Sequence, residues 1–143
     1  MKIIVTGGCG FVGSSICLFL KKNLKNSQIL SVDNLSKNYS KYNQKILLKH
    51  KIMNKNINLG KFNSLKNLKF KADYIIDCSA EPAVEISKKK IVKVIESNFL
   101  STLNILEKSK QDYSKIIFIS SSRVYPIKIS YEKFKKFKKY KKH

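Results

Sequence analysis

Short apolar runs alternate along the chain with longer stretches in which apolar residues recur every third or fourth position. The runs rich in Ile and Val predict buried strands at residues 2–6, 29–32, 52–53, 74–78 and 115–120. The periodic stretches predict helices that begin at Phe11 and that cover residues 42–48, 62–70 and 86–107. Strands that alternate with helices predict an α/β domain with a doubly wound parallel sheet.

The first predicted helix carries an apolar stripe that we expect to lie against the sheet. The stripe consists of Val12, Ile16, Phe19, Leu20 and Leu24. Its spacing of three and four residues is typical of a helix with one buried face.

A glycine-rich turn separates the first predicted strand from this helix. Gly7, Gly10 and Gly13 stand three residues apart between Thr6 and the helix. In this setting the first glycine makes a tight turn, the second lets the backbone approach a pyrophosphate, and the third lets the helix pack closely on the strand. Unpaired N–H groups at the start of the helix would bind the phosphates. The motif therefore predicts a dinucleotide site.

Asp33 stands twenty residues after Gly13, at the end of the second predicted strand. A carboxylate at this position accepts hydrogen bonds from both hydroxyls of an adenosine ribose. Its negative charge disfavours a ribose phosphate, so NAD is favoured over NADP, although nearby lysines such as Lys37 weaken that exclusion.

The formal net charge of +21 comes from 30 basic and 9 acidic residues. All of the basic residues except Arg123 are lysines, whereas proteins that read nucleic acids rely on the bidentate guanidinium of arginine. Lysine also accompanies many Ile and Asn residues, which a genome rich in adenine and thymine would produce. We therefore expect no nucleic-acid partner, with a functional basic face as the alternative.

Three cysteines and two histidines lack the spacing of a metal site, so no metal is expected. No apolar stretch is long enough for a membrane span or for the core of a signal peptide. A cytoplasmic location is expected on these grounds.

Four segments resemble one family, the extended short-chain dehydrogenases/reductases that act as NAD-dependent nucleotide-sugar epimerases and dehydratases. Residues 6–13 match its TGxxGxxG motif, and residues 33–36 match its DNLS loop. Residues 77–84 resemble HxAAxPxV, and residues 97–107, which lead into residues 118–125, resemble NxxGTxNxLE. The resemblance spans residues 2–127 and is strongest to the CDP-paratose 2-epimerase branch. It implies a Rossmann fold with strand order 3-2-1-4-5.

The resemblance also implies which residues contact NAD. They are Gly7, Gly10, Phe11, Val12, Gly13, Asp33, Asn34, Ser36, Asn56, Ile57, Cys78, Ser79, Ala80 and Asn98. Within this set, Asn56 would receive the adenine amine in place of the usual Asp, and residues 78–80 would line the second ribose and the nicotinamide. Asn98 would help to hold this end, or would merely satisfy backbone groups in a long helix. Two further departures from the family pattern are Asp77 for a common His and Ser101 for a common Gly.

The catalytic half of the implied site is incomplete in this sequence. Ser121 falls where the family keeps its catalytic Ser or Thr, or else it belongs to a polar strand end. The family's base is a Tyr whose pKa is lowered by a Lys four residues later. Tyr131 and Lys135 have that spacing, but they follow Ser121 more closely than the family allows. We therefore expect the catalytic pair to be absent.

Residues 128–143 form a tail that differs from residues 1–127, the predicted NAD-binding Rossmann domain. The tail holds eight lysines and an aromatic residue at every third position. It is expected to be irregular, either because translation runs out of frame through an adenine-rich tract, or because it is a basic amphipathic segment, or because its lysines are simply solvated.

The expected function is that of the NAD-binding portion of a nucleotide-sugar epimerase or dehydratase in polysaccharide biosynthesis, without its C-terminal substrate lobe. Such an enzyme oxidises a sugar hydroxyl, and we expect this chain alone to have little activity because the catalytic pair is absent. A homodimer through residues 91–106 is expected. The alternatives are a non-catalytic NAD-binding module with a polyanion-binding tail and an S-adenosylmethionine-dependent methyltransferase.

Overall fold

A computed structural model describes residues 1–81 and 90–120. Their strands form a five-stranded sheet in which every neighbouring pair is parallel. The strands are β1 (Lys2–Thr6), β2 (Gln28–Asp33), β3 (Met53–Asn56), β4 (Tyr74–Asp77) and β5 (Lys115–Phe118). Their order is β3-β2-β1-β4-β5. The predicted α/β class, the Rossmann topology and the strand order are confirmed.

Strand β1 lies at the centre because its residues Ile3, Ile4 and Val5 are apolar and because it pairs along both edges. Ile3 lies opposite Ile29 of β2 and opposite Tyr74 of β4. Ile4 and Val5 have no exposed surface. A parallel strand covered on both faces reads as a continuous apolar run, which is why the pattern identified this strand so readily.

Helices cover both faces of the sheet and create two apolar cores. Helix α1 (Phe11–Asn23) and helix α2 (Asn38–Lys49) are followed by α3 (Ile91–Val94), a π-helical segment (Ile95–Leu100) and α4 (Ser101–Asp112). Alternate residues of β1 point to opposite sides, so that Ile3 and Val5 share one core with Cys17, and Ile4 shares the other with Ile105 of α4.

The buried face of α1 differs from the predicted stripe. Val12 and Phe19 are 47% and 66% exposed, whereas Gly13 and Cys17 are buried. Without a side chain, Gly13 lets the helix approach the preceding turn. Because of this contact, the helix face that contains Gly13 and Cys17 lies against the sheet. The predicted contribution of Ile16, Leu20 and Leu24 to the core is confirmed.

The helix predicted over residues 62–70 is wrong, because this segment is a succession of turns. Asn63 has a left-handed φ of 56°, and the N–H groups of Ser64, Lys66 and Leu68 each bond to the carbonyl three residues earlier. Side chains of α4 bond to three backbone carbonyls in residues 59–68. These tertiary bonds hold both ends of the segment against α4.

Other element boundaries shift by a few residues. The third strand begins at Met53 and runs to Asn56, rather than covering residues 52–53, and helix α2 begins four residues before the predicted 42–48. Of the predicted helix 86–107, residues 86–89 lie outside the described residues, and the remainder continues to Asp112. Helix α4 ends there because Tyr113 takes a left-handed φ of 57°. No helix within the described ranges has the length and apolar character needed to cross a membrane.

Candidate functional site

The glycine turn after β1 is built from close backbone contacts that no side chain would allow. Gly7 has a φ of +60°, and a Cβ atom there would lie 2.7 Å from the carbonyl oxygen of Cys78. A Cβ atom on Gly13 would overlap the carbonyl of Gly7. The turn therefore packs directly on the loop after β4 and on the first turn of α1.

Gly10 precedes α1 and leaves the beginning of the helix accessible. Its N–H donates to the Gly7 carbonyl at 2.8 Å, and its own carbonyl accepts the first helical hydrogen bond, from Ser14, at 3.0 Å. The N–H groups of Phe11, Val12 and Gly13 precede that bond, so the helix offers them no carbonyl. Such a group of amides, together with the positive end of the helix dipole, is suited to binding phosphate.

Asp33 connects the end of β2 to the glycine turn. One carboxylate oxygen accepts a hydrogen bond from the Cys9 N–H at 3.1 Å, and the other accepts one from the Leu35 N–H at 2.8 Å. The loop beyond turns on Leu35, whose φ is 55°, and on Asn34, whose side chain accepts the Ser36 N–H at 3.1 Å. Asp33 is only 9% exposed, so these bonds hold its carboxylate in one orientation at the edge of the sheet.

Asn56 and Ile57 follow at the end of β3. Asn56 lies in register with Asp33, and the Ile57 N–H donates to the Asp33 carbonyl at 3.3 Å. Asn56 is exposed, and Ile57 is half-buried against the second core. The exposed amide therefore lies beside the loop that Asp33 organises.

Asp77 organises the end of β4, a role that the sequence analysis did not assign. One of its oxygens accepts hydrogen bonds from the Thr6 hydroxyl at 2.6 Å, the Ser79 N–H at 2.9 Å and the Ser79 hydroxyl at 2.6 Å. The side chain is buried between β1 and β4, where Thr6 and Asp77 lie in register. No local signal in the sequence identifies this role, because Thr6 and Asp77 become neighbours only when β4 pairs with β1.

Asn98, in the π-helical segment, holds the loop after β4 from the other side. Its side-chain oxygen accepts the Glu81 N–H at 2.7 Å, and its amide nitrogen donates to the Glu81 carbonyl at 3.4 Å. Asn98 therefore satisfies backbone groups, as one of its two expected roles required, but these groups belong to the loop beside the glycine turn and not to its own helix.

A salt bridge joins this loop to the loop after β2. The Lys37 ammonium lies 3.2 Å and 2.9 Å from the two carboxylate oxygens of Glu81. The Glu81 side chain is 6% exposed and that of Lys37 is 38% exposed. Lys37 was expected to attract a ribose phosphate and so to weaken the preference for NAD, but its charge is already paired with Glu81.

Three cysteine thiols lie in or beside the glycine turn, and their burial favours the protonated form. Burial raises the pKa of Cys9 and of Cys78 to about 11, and it raises the pKa of Cys17 to about 12. Neutral thiols at physiological pH make poor nucleophiles. Within residues 1–81 and 90–120, no group of His, Cys, Asp and Glu is arranged to hold a metal ion.

The structure brings most of the predicted cofactor residues together at one edge of the sheet. The glycine turn and the segments 33–36, 56–57 and 78–80 all follow the carboxyl ends of parallel strands, where open α/β sheets bind their ligands. The strand order changes direction here, because β2 and β4 lie on opposite sides of β1. The predicted catalytic residues Ser121, Tyr131 and Lys135 lie outside the described residues.

Comparison with known proteins shows the family to which the chain is similar. Residues 3–142 match the model of the NAD dependent epimerase/dehydratase family. The chain is 35% identical over 130 residues to a dTDP-D-glucose 4,6-dehydratase of Dictyostelium discoideum, and the match covers 87% of this chain. It is 34% identical over 124 residues, again 87% of the chain, to a UDP-N-acetyl-alpha-D-glucosaminuronate decarboxylase of Bacillus cytotoxicus.

Solved structures show the same similarity. The UDP-glucose 4-epimerase of Bifidobacterium longum, solved in complex with NAD+ and UDP, superimposes with a TM-score of 0.72 at 27% identity over 87% of this chain. The matches cover 30% of the dehydratase, 37% of the decarboxylase and 38% of the epimerase. The chain therefore spans well under half the length of these relatives.

Proposed function

Because this chain belongs to the NAD dependent epimerase/dehydratase family, we propose that it binds NAD and forms the cofactor-binding portion of an enzyme that oxidises a hydroxyl of a nucleotide sugar. The observation that carries the proposal is the glycine turn held against α1 beside the fixed carboxylate of Asp33. When bound, NAD would accept a hydride from the sugar and later return it.

The close backbone packing of the glycine turn supports the proposal that a dinucleotide pyrophosphate binds there. Among the described residues, a Cβ atom on Gly10 would contact only the Gly7 carbonyl oxygen, at 3.0 Å, so the outer side of the turn is open to a ligand. The exposed residues Phe11 and Val12 follow Gly10 directly, and the helix offers their amides no carbonyl. We infer that they bind the phosphates through the backbone, which requires no particular side chain at these positions.

The carboxylate of Asp33 has the capacity to hold the adenosine ribose. Each of its oxygens accepts one backbone N–H, and each keeps a further lone pair for a ribose hydroxyl. A ribose phosphate would meet this negative charge, and the nearby cation that could offset the repulsion, Lys37, is paired with Glu81. NAD is therefore preferred over NADP in this proposal.

Proton transfer is assigned to residues beyond the described part of the chain. Ser121 would hydrogen-bond the sugar oxygen that is being oxidised. Tyr131 with Lys135 would supply the base only if the short segment after Ser121 lets Tyr131 reach the same oxygen. Loss of a general base costs a factor of about 10² to 10⁴ in rate. Turnover by this chain alone is accordingly proposed to be weak or absent.

The nucleotide-sugar substrate, the homodimer and the cytoplasmic location remain predictions. The homodimer is supported by an apolar stripe on the helical segment 91–106 that is exposed in the structure. Its members are Ile91, Ile95, Phe99, Leu103 and Leu106. A second copy that packed on this stripe would bury it, as in other helix-to-helix interfaces.

Binding of NADH and NADPH to the full 143-residue chain tests the proposal, and calorimetry is the appropriate measurement. We expect NADH to bind more tightly than NADPH, and Asp33→Ala to weaken NADH binding at least tenfold, because two ribose hydrogen bonds are lost. Asp73→Ala is the matched control, since Asp73 is an exposed carboxylate at the opposite edge of the sheet. The proposal fails if the folded wild type binds neither nucleotide, or if both variants weaken binding equally.

A further inference from the structure

The salt bridge between Lys37 and Glu81 joins two loops that the chain separates by 44 residues. Lys37 follows β2 and immediately precedes α2, and Glu81 follows β4. Strands β2 and β4 are the two neighbours of β1 in the sheet. A contact between the loops that follow them must therefore cross the carboxyl end of β1, where the glycine turn lies.

The two ends of this contact are held firmly by other parts of the molecule. The Glu81 backbone is bonded in both directions to the Asn98 side chain, and its carboxylate is almost fully buried. Lys37 occupies the residue that caps α2, and its carbonyl accepts the Ser40 N–H at 3.0 Å. Since both backbones are anchored, the reach between them is spanned by the long lysine side chain.

A buried carboxylate needs a partner, and for Glu81 that partner is supplied by the loop after β2. Leaving a buried charge without its counter-ion is unfavourable, whereas a charge-assisted hydrogen bond of 2.9 Å is among the stronger polar contacts in proteins. The Lys37 ammonium is the cation that the described residues place on Glu81. The contact is thus favoured in the closed form and is broken only at a cost.

We propose that Lys37 and Glu81 form an ionic strap over the glycine turn, which opens to admit NAD and retains it when closed. This inference rests on the proposed NAD binding, because the glycine turn that the pair crosses is the part of the molecule assigned to the cofactor. The strap acts on the rates of entry and exit. Opening it should speed both rates, so that the equilibrium affinity changes much less than the residence time.

The experiment follows NADH release by stopped-flow fluorescence, with excess NAD+ as the chase, from the full chain and from three variants. The variants are Lys37→Met, Glu81→Gln and the combination of both, and Lys41→Met is the control because Lys41 is an exposed lysine one turn along α2. We expect each single variant to release NADH about tenfold faster, which corresponds to one lost charge-assisted hydrogen bond. The double variant should be no faster than either single variant, and the control should behave like the wild type.

Several results would overturn the strap. Release at the wild-type rate from Glu81→Gln means that the pair does not retain the cofactor, and slower release means that the freed lysine binds the phosphates instead. A double variant faster than the singles by the product of their effects means that the two residues act separately. In all three cases NADH still binds, so the proposed function survives. If the wild type shows no NADH binding, both proposals fail.

Discussion

The thiol of Cys78 lies between the buried end of β4 and the open edge of the sheet. Burial, with a smaller contribution from the Asp77 carboxylate, raises its pKa from 9.0 to about 11. Cys9 and Cys17 are fully buried, so Cys78 is the most accessible of the three thiols to a reagent. A residue that the family resemblance assigns to the nicotinamide end thus remains neutral at physiological pH.

We predict that Cys78 reacts about a hundredfold more slowly with a disulfide reagent in the folded chain than in concentrated urea at about pH 8. The raised pKa lowers the thiolate fraction by that factor. The folded state holds this proton more tightly, so the stability that the thiol contributes is complete below pH 9 and is lost as the pH rises through about 11.

The absorbance of the thiol that the disulfide reagent releases gives the reaction rates of the cysteines. The kinetic phase that disappears in Cys78→Ser is the reaction of Cys78. Equal rates in the folded and unfolded chains would contradict it. A fast phase that persists in Cys78→Ser would show that one of the other cysteines reacts first.

Single residues of the site differ in how well the sequence revealed them. The glycine turn and Asp33 were predictable because their chemistry depends on spacing along the chain, within 26 residues of Gly7. Asp77 was not, because its partner Thr6 is 71 residues away and becomes a neighbour only when β4 pairs with β1. The pairing of Lys37 with Glu81 depends on the same event.

Helix α4 holds the irregular segment 59–72 through a buried ion pair. The Lys108 ammonium lies 2.9 Å from one oxygen of Asp112 and donates to the Leu68 carbonyl at 3.0 Å. The other oxygen of Asp112 accepts the Ala72 N–H at 2.9 Å. Both side chains are at most 5% exposed, so each charge depends on the other for compensation.

We predict that Lys108→Met lowers the free energy of unfolding by about 3 kcal/mol, since it leaves a buried carboxylate and a backbone carbonyl unpaired. Lys110→Met, on the exposed side of the same helix, should change it by no more than about 0.5 kcal/mol. Urea unfolding followed by circular dichroism gives both values.

A double variant, Lys108→Met with Asp112→Asn, distinguishes the pair from the packing around it. We expect it to be more stable than the sum of the two single losses implies, because the unpaired charge is removed. Strict additivity, or a Lys108→Met variant as stable as Lys110→Met, would contradict the role of the pair.

At the level of elements, the sequence predicted what depends on local periodicity and missed what depends on tertiary bonds. The strands that flank β1, and β1 itself, were recognisable as apolar runs bounded by polar residues. Residues 62–70 also have helical spacing, yet Asn104 and Lys108 take backbone carbonyls from the neighbourhood of this segment. The local pattern favours a helix, whereas donors from a helix far along the chain favour another conformation. The sequence of residues 62–70 alone does not show these donors.

Across the whole molecule, positive charge outweighs negative charge by 21. The structure contains two ion pairs among its described residues, so most lysines repel one another at the surface. Self-repulsion of this size destabilises the compact state. At 0.1 M salt the screening length is about 10 Å, so repulsion between more distant surface charges is largely removed.

We predict that raising sodium chloride from about 0.02 to 0.3 M increases the Tm of the chain by several degrees, as a gain of about 1–2 kcal/mol would. Sucrose at equal osmolality serves as the control for effects other than screening, and scanning calorimetry measures both. A Tm that is flat or falls with salt would show that the lysines are compensated in a way that the described residues do not reveal.

The strand order also imposes an order in time. Strands β1, β2 and β3 and the two helices that cover one face all lie within the first 56 residues, so they leave the ribosome first. These three strands can therefore pair early. The opposite edge of β1 waits for β4, more than 65 residues along the chain. Pairing at such separation is slow, and an apolar strand edge left open attracts other chains. The most protected strand of the finished sheet is therefore the most vulnerable one on the ribosome.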